Sequence, residues 1–102
     1  MYSFIETKLF SRLVAEVLSD EEYSRLQRTL INDPEAGDLV PGSGGIRKLR
    51  WRVPGRGKRG GIRVIYYAQV RRGQFWMLTL YAKNVMENIP ARVLRQIKGR
   101  DR

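Results

Sequence analysis

The spacing of apolar residues predicts a strand and two helices in the first third of the chain. Residues 2–7 alternate weakly between apolar and polar side chains, which favours an opening strand. Residues 8–18 carry apolar side chains at helical spacing, so one stripe of this helix should be buried. Residues 19–32 predict a second helix, because Ser19 and Glu22 have the spacing of a capping box, in which each side chain bonds a free backbone N–H.

The rest of the pattern predicts three strands and a final helix. Residues 33–45 are rich in turn-forming residues and separate the two halves. Residues 46–53 alternate over part of their length, while residues 62–70 and 74–82 are rich in β-branched and aromatic side chains, as strands are. Helical spacing returns from residue 84 to about residue 98.

The order β-α-α-β-β-β-α predicts the α+β class. We expect a small antiparallel sheet of about four strands packed on the two N-terminal helices, with the helices on one face. Pro90 is expected in the first turn of the last helix, where its missing N–H costs nothing. Residues 1–102 are expected to form a single domain, since neither side of the turn-rich segment could bury a core alone.

The amino-acid composition excludes several kinds of catalytic and metal site. The 102 residues include no cysteine and no histidine, so thiolate and imidazole catalysis are excluded and the usual metal ligands are missing. We therefore expect no metal and no cofactor. There is no apolar run long enough to span a bilayer and no signal-peptide pattern, so we expect a soluble cytoplasmic protein with no membrane contact.

The charge is divided unequally along the chain. Residues 1–45 hold four basic and eight acidic side chains, whereas residues 46–102 hold sixteen basic and two acidic ones. Such polarity within one small domain is typical of nucleic-acid binding. An acidic protein partner, or a solvated basic face without a partner, would also fit.

The basic side chains of residues 46–53 are expected to share one face of a strand. Trp51 should point into the core, and alternation then directs its basic neighbours outward. These neighbours are Lys48, Arg50 and Arg52. Arg63 opens the next strand and returns to the same end of the sheet. Same-face neighbours are roughly 6.5–7 Å apart, comparable to phosphates along a nucleic-acid strand, so this face predicts a phosphate-binding trough.

Other candidate residues border this trough. The glycine-rich loop of residues 54–61 adds Arg56, Lys58 and Arg59. Tyr81 and Lys83 close the last strand on one face. Aromatic side chains on the strands could stack on bases, although strand aromatics are more often core residues. These candidates are Tyr66, Tyr67, Phe75, Trp76 and Tyr81. The basic half contains no pair of carboxylates, which argues against two-carboxylate and Mg²⁺-dependent chemistry.

The ordered segments GGIRKLRW, GRGKRGGIRVIYY and LTLYAKN resemble the RelE/ParE toxin superfamily, specifically its HigB-like branch. The resemblance covers nearly the whole chain. It implies a small sheet on two N-terminal helices, and the toxin of a type II toxin–antitoxin system. It further implies a ribosome-dependent endoribonuclease that cleaves mRNA. The implied partners are the ribosome, mRNA and a cognate antitoxin, HigA-like with a helix-turn-helix.

The resemblance also implies residue roles. In such toxins, basic residues on the strand after the helical hairpin, and an arginine opening the next strand, contact the scissile phosphate. Those positions hold Lys48, Arg50 and Arg63. Many relatives also use a basic residue after the last strand, where this chain offers Lys83 and Asn84. Many relatives have a tyrosine in the C-terminal segment, which NVMENIPARVL lacks, and Tyr81 is a possible replacement.

The expected reaction is attack of the RNA 2′-OH on the adjacent phosphorus. Lys48 is the candidate base, because nearby cations disfavour its protonated form. Arg50 and Arg63 are the candidate clamps for the transition-state charge. The expected RNA- or ribosome-binding residues are Arg52, Arg56, Lys58, Arg59, Tyr81, Lys83 and Asn84. Two alternatives remain at this point: a ParE-like gyrase poison and a non-catalytic RNA-binding module.

Overall fold

The structure, a computed structural model, describes residues 1–53, 61–83 and 89–100. In chain order the elements are β1 (Ser3–Glu6), α1 (Lys8–Val17), α2 (Asp20–Asn32), β2 (Asp38–Leu39), β3 (Ile46–Trp51), β4 (Ile62–Gln69), β5 (Gln74–Ala82) and α3 (Ala91–Arg100). A short 3-10 turn, Val70–Arg72, joins β4 to β5. The α+β class is confirmed. None of the described helices is long and apolar enough to cross a membrane.

The sheet has five strands in the order β1-β5-β4-β3-β2, and it is mixed. β1 runs parallel to β5, whereas the other pairs are antiparallel. The fifth strand is β2, which lies inside the segment predicted to form turns. Its two residues are exposed and pair with β3. A strand this short has no alternation for a sequence pattern to detect, which is why four strands were expected.

One face of the sheet packs on α1 and α2 as predicted. Phe10, Val14, Leu26 and Leu30 are buried on the helices, against sheet residues that follow strand alternation. These sheet residues are Leu49, Ile62, Val64, Tyr66, Phe75, Met77 and Leu80. Each fully buried leucine stabilises the fold by about 1.5–3 kcal/mol, so this layer is the main core.

The opposite face is covered by α3, so the expectation of all helices on one face is wrong. Leu94 of α3 is buried with three sheet residues, Ile46, Ile65 and Leu78. An apolar patch of this size on the second face needs a cover, and the C-terminal helix supplies it. α3 begins at Ala91, after Pro90, and the part of the predicted helix at residues 84–88 lies outside the described residues.

Helix ends follow the sequence signals. Ser19 Oγ accepts a hydrogen bond from the Glu22 N–H at 3.1 Å, and Glu22 Oε1 accepts one from the Ser19 N–H at 2.8 Å, completing the predicted capping box. At the start of α3, the Pro90 carbonyl accepts from the Val93 N–H at 2.9 Å. Pro90 therefore lies immediately before the helix.

A β-bulge interrupts the pairing of β4 with β5. Ile65 is opposite Thr79, but the next residue of β4 is opposite Met77, so Leu78 is an extra residue in β5. The Leu78 carbonyl accepts a hydrogen bond from Thr7 Oγ1 at 2.7 Å. The same hydroxyl accepts from the Phe10 N–H at 2.9 Å, so one buried threonine caps α1 and holds the bulge.

Candidate functional site

Three polar side chains form a row across the central strands. Arg50 of β3 is directly opposite Arg63 of β4, and Arg63 is directly opposite Tyr81 of β5. Directly opposed residues share a face, and neighbouring strands are about 4.8 Å apart, so the row spans roughly 10 Å. It lies one residue inside the end of the sheet, beside the row of Trp51, Ile62 and Ala82.

The bulge at Leu78 determines which face Tyr81 occupies. Phe75 and Met77 of β5 point to the α1–α2 face, so uninterrupted alternation would send Tyr81 to the same face. The extra residue reverses the parity of everything that follows it in the strand. Tyr81 therefore joins the α3 face, where Arg63 lies.

Arg63 is buried although it is charged. Its side chain is only 8 % exposed, and Arg50, its direct neighbour, carries the same charge. Like charges directly opposed in a sheet oppose folding, and burial of a cation adds a desolvation cost. Departures from the usual rules of sheet stability are common at functional sites, so the row is a candidate site.

The Tyr81 hydroxyl is buried and has no hydrogen-bond partner among the described residues. Burial raises the pKa of Tyr81, and the adjacent Arg63 charge opposes this shift only in part. Tyr81 therefore stays protonated at neutral pH and can donate a hydrogen bond. A buried, unsatisfied donor beside a guanidinium suits an anionic oxygen.

The remaining described candidates lie around this row. Lys48 is half-buried, two residues from Arg50 on the same face of β3. Arg52 is exposed just beyond the end of β3. Lys83 is exposed, and its N–H donates to the Gly61 carbonyl at 3.3 Å, which keeps it at this end of the sheet. Lys48 and Arg50 therefore share one face of the sheet with Arg63, as predicted, whereas Arg52 lies outside the paired part of β3.

Several predicted residues fall outside the described part of the chain. They are Arg56, Lys58, Arg59 and Asn84. Within the described part, no group of three or more His, Cys, Asp or Glu side chains is placed to hold a metal ion.

The aromatic candidates divide into two groups. Tyr66 and Phe75 are fully buried on the α1–α2 face and cannot stack on a base. Tyr66 is a structural anchor, since its hydroxyl donates to the Pro34 carbonyl at 2.8 Å and accepts from the Gly37 N–H at 2.9 Å. Tyr67 and Trp76 remain half-buried on the α3 face.

Comparison with known proteins decides the family. The profile of the RelE toxin of the RelE/RelB toxin–antitoxin system matches residues 4–100. This protein belongs to the RelE toxin family. A solved structure of a mutant E. coli toxin RelE in the free state is similar, with a TM-score of 0.62 over 95% of this chain and 96% of that one. The two sequences are only 15% identical, so that likeness concerns the fold.

Membership in the RelE family has two consequences for the site. The protein is the toxin component of a toxin–antitoxin system, which implies an antitoxin as its partner. RelE-family toxins are endoribonucleases. Their substrate, RNA, is an anion, and the positive charge of the arginine row suits it.

Proposed function

We propose that this RelE-family toxin is a ribosome-dependent endoribonuclease that cleaves mRNA and so inhibits translation. The observation that carries the proposal is the Arg50–Arg63–Tyr81 row, in which two like charges adjoin a buried hydroxyl donor. A phosphate seated on the row would neutralise the arginine repulsion and give the Tyr81 hydroxyl an acceptor.

The reaction is a transfer within the RNA. Lys48, in its neutral form, accepts the proton of the 2′-OH, and the 2′-oxygen forms a bond to the adjacent phosphorus. The bond from phosphorus to the 5′-oxygen breaks, which leaves a 2′,3′-cyclic phosphate and a 5′-OH. Tyr81 donates its proton to the departing 5′-oxygen. Solvent then carries the proton held by Lys48 back to Tyr81, which restores both groups. No metal takes part in this scheme.

The arginines stabilise charge that develops on the phosphorus oxygens. Arg63 contributes most, because its burial fixes it before the substrate arrives and lowers the screening by water. Arg50 is exposed and adds a second guanidinium from the neighbouring strand. Two guanidinium groups on one face can hold both non-bridging oxygens, as fork-shaped donors do.

The outlying residues would bind flanking RNA or the ribosome. This group comprises Arg52, Arg56, Lys58, Arg59, Lys83 and Asn84. Their contacts are with phosphates, so they contribute affinity that salt weakens rather than the chemical step. The antitoxin is proposed to be HigA-like with a helix-turn-helix, in keeping with a HigB-like branch and a cytoplasmic location.

Expression in bacteria with mapping of new RNA 5′ ends tests the proposal. The parental protein should produce ends phased with codons inside translated frames, and Arg63→Ala should lower cleavage by about 10²–10³-fold. Arg47→Ala is the matched control, because Arg47 lies on β3 but faces α1 and α2, where it donates to the Gly37 carbonyl at 2.7 Å. Unphased ends, or parental cleavage by Arg63→Ala, would contradict the proposal, and inhibited DNA supercoiling would favour a gyrase poison.

A further inference from the structure

A cleft on the α3 face lies apart from the Arg50–Arg63–Tyr81 row. It has a volume of about 370 Å³ and is lined by Tyr67, Gln69, Arg72, Trp76 and Lys98. Tyr67 is four residues from Arg63 along β4, which corresponds to roughly 13 Å. Ile65 lies between these two positions and is buried with Leu94 of α3, so the cleft is a separate site.

Two aromatic rings form one wall of the cleft. Tyr67 and Trp76 are directly opposed on β4 and β5, and both are half-buried. Trp76 Nε1 donates to Gln74 Oε1 at 3.2 Å, and Gln69 Nε2 donates to the Tyr67 hydroxyl at 2.9 Å. The polar edges of both rings thus have partners, and the partly exposed Trp76 ring can contact a planar ligand in the cleft.

Two cations line the same cleft. Arg72 is exposed on the turn between β4 and β5. Lys98 Nζ lies 3.6 Å from the centre of the Tyr67 ring and donates to the Gly44 carbonyl at 3.1 Å, which holds its charge at the cleft. None of the five described lining residues is acidic. The cleft therefore suits a ligand with a flat aromatic part and negative charge.

We propose that this cleft binds one nucleotide of single-stranded RNA, its base on Trp76 and its phosphate at Arg72 and Lys98. Stacking on aromatic side chains tolerates any base, and the volume is at the lower end of the range for small-ligand sites. The choice of RNA rests on the proposed function. The nucleotide belongs either to the message or to ribosomal RNA, which offer the same chemistry.

The fluorescence of Trp76 can report whether the cleft is occupied. The chain has two tryptophans, and Trp51 belongs to the cluster on the other face, so Trp51→Phe leaves one indole, in the cleft. The probe is a 2′-O-methylated hexaadenylate, which cannot be cleaved because its nucleophile is blocked. Saturable quenching of Trp76 emission is expected on binding. An unchanged emission while the labelled probe binds by fluorescence anisotropy would overturn the proposal.

Neighbouring arginines supply a matched pair of variants. Arg72→Ala should lower the slope of log affinity against log salt by about 0.7, the value for one phosphate contact on a single strand. Arg71→Ala removes an equal charge from the same turn but not from the cleft, so its slope should stay parental. Trp76→Ala, followed by anisotropy, should weaken binding at least about fivefold. Equal slopes for the two arginine variants would overturn the proposal.

Failure of the cleft and failure of the nuclease proposal are distinguishable. Arg63→Ala should lose cleavage but keep Trp76 quenching. If the parental protein shows quenching without cleavage, the cleft proposal holds and the nuclease proposal fails. If it shows cleavage without quenching, the nuclease proposal holds and the cleft proposal fails. Cross-linking from Trp76 on programmed ribosomes identifies the source of the nucleotide: a link to message or ribosomal RNA supports the proposal. A link confined to ribosomal protein or to an acidic antitoxin peptide overturns it.

Discussion

Arg63 and Tyr81 face each other across β4 and β5 because Leu78 adds one residue to β5. A buried guanidinium thus lies beside a buried hydroxyl that has no hydrogen-bond partner among the described residues. Variants at this site should therefore separate stability from activity.

Tyr81→Phe should lower cleavage without lowering stability. The variant removes a buried hydroxyl that has no partner among the described residues, so the free energy of unfolding should stay the same or rise by up to about 1 kcal/mol. Cleavage should fall by roughly 10²-fold, within the range for loss of one proton donor. Urea unfolding and a cleavage assay on ribosomes measure the two effects.

Tyr66→Phe is the control for this pair of measurements. Its hydroxyl bonds both the Pro34 carbonyl and the Gly37 N–H, so its loss should cost about 1–3 kcal/mol of stability. Cleavage by the folded fraction should remain parental. A Tyr81→Phe protein that is destabilised and fully active would refute the assignment.

Arg50→Gln should make the protein more stable and less active. Removing one of two directly opposed like charges should raise the free energy of unfolding by about 0.2–1 kcal/mol. This gain should shrink at high salt, because screening already weakens the repulsion. Thermal unfolding at low and high salt measures it, and a loss of stability would mean that Arg50 packs favourably.

Gly61→Ala should be strongly destabilising, by about 3 kcal/mol or more. Gly61 has a φ of +65°, and a Cβ there would overlap the carbonyl oxygen of Trp51, at the end of the sheet that carries the arginine row. Gly42→Ala is the matched control, since its φ is +73° but nothing lies within 4 Å of an added Cβ. It should lose only about 1–2 kcal/mol in urea unfolding.

Thr7→Val should cost about 2–3 kcal/mol in the free energy of unfolding. The change removes the cap of α1 and leaves the Leu78 carbonyl at the bulge without its hydroxyl donor. Thr29→Val is the comparison, because the Thr29 hydroxyl bonds only its own helix at the Arg25 carbonyl and should matter by less than about 0.5 kcal/mol. Chemical denaturation of both variants checks the difference.

Tyr23 should make stability fall at high pH. Its hydroxyl donates to Glu6 at 2.7 Å, and burial, followed by this bond, raises the pKa of Tyr23 above its usual range. A raised pKa favours the protonated phenol in the folded state, so its contribution is complete below about pH 10 and is lost as the pH rises through the folded value. Tyr23→Phe should weaken the fold at pH 7 and flatten this alkaline decline in urea titrations.

The sequence carried enough information for the two N-terminal helices and for the basic face. The capping box and the alternation of Trp51 with its basic neighbours are local patterns, and local patterns can be read directly. Family resemblance added the role of Arg63. That role, like those of Lys48 and Arg50, stays a prediction.

Two features of the site depend on contacts between distant residues. The bulge at Leu78 is stabilised by Thr7, which is far away in the chain. The periodicity of the β5 sequence does not indicate a bulge. The position of α3 on the second face depends on which side of the sheet α1 and α2 leave free. The burial of Arg63 and the cleft at Trp76 follow from these arrangements.

The extra residue in β5 also affects how this toxin is aligned with distant relatives. A column-by-column alignment without a gap at Leu78 would match Tyr81 to a side chain on the wrong surface in any relative whose strand is regular. Equivalent positions are better found from the strand pairing, by taking the residue of β5 that lies opposite Arg63 of β4. At 15% identity, that pairing is a firmer guide than residue similarity.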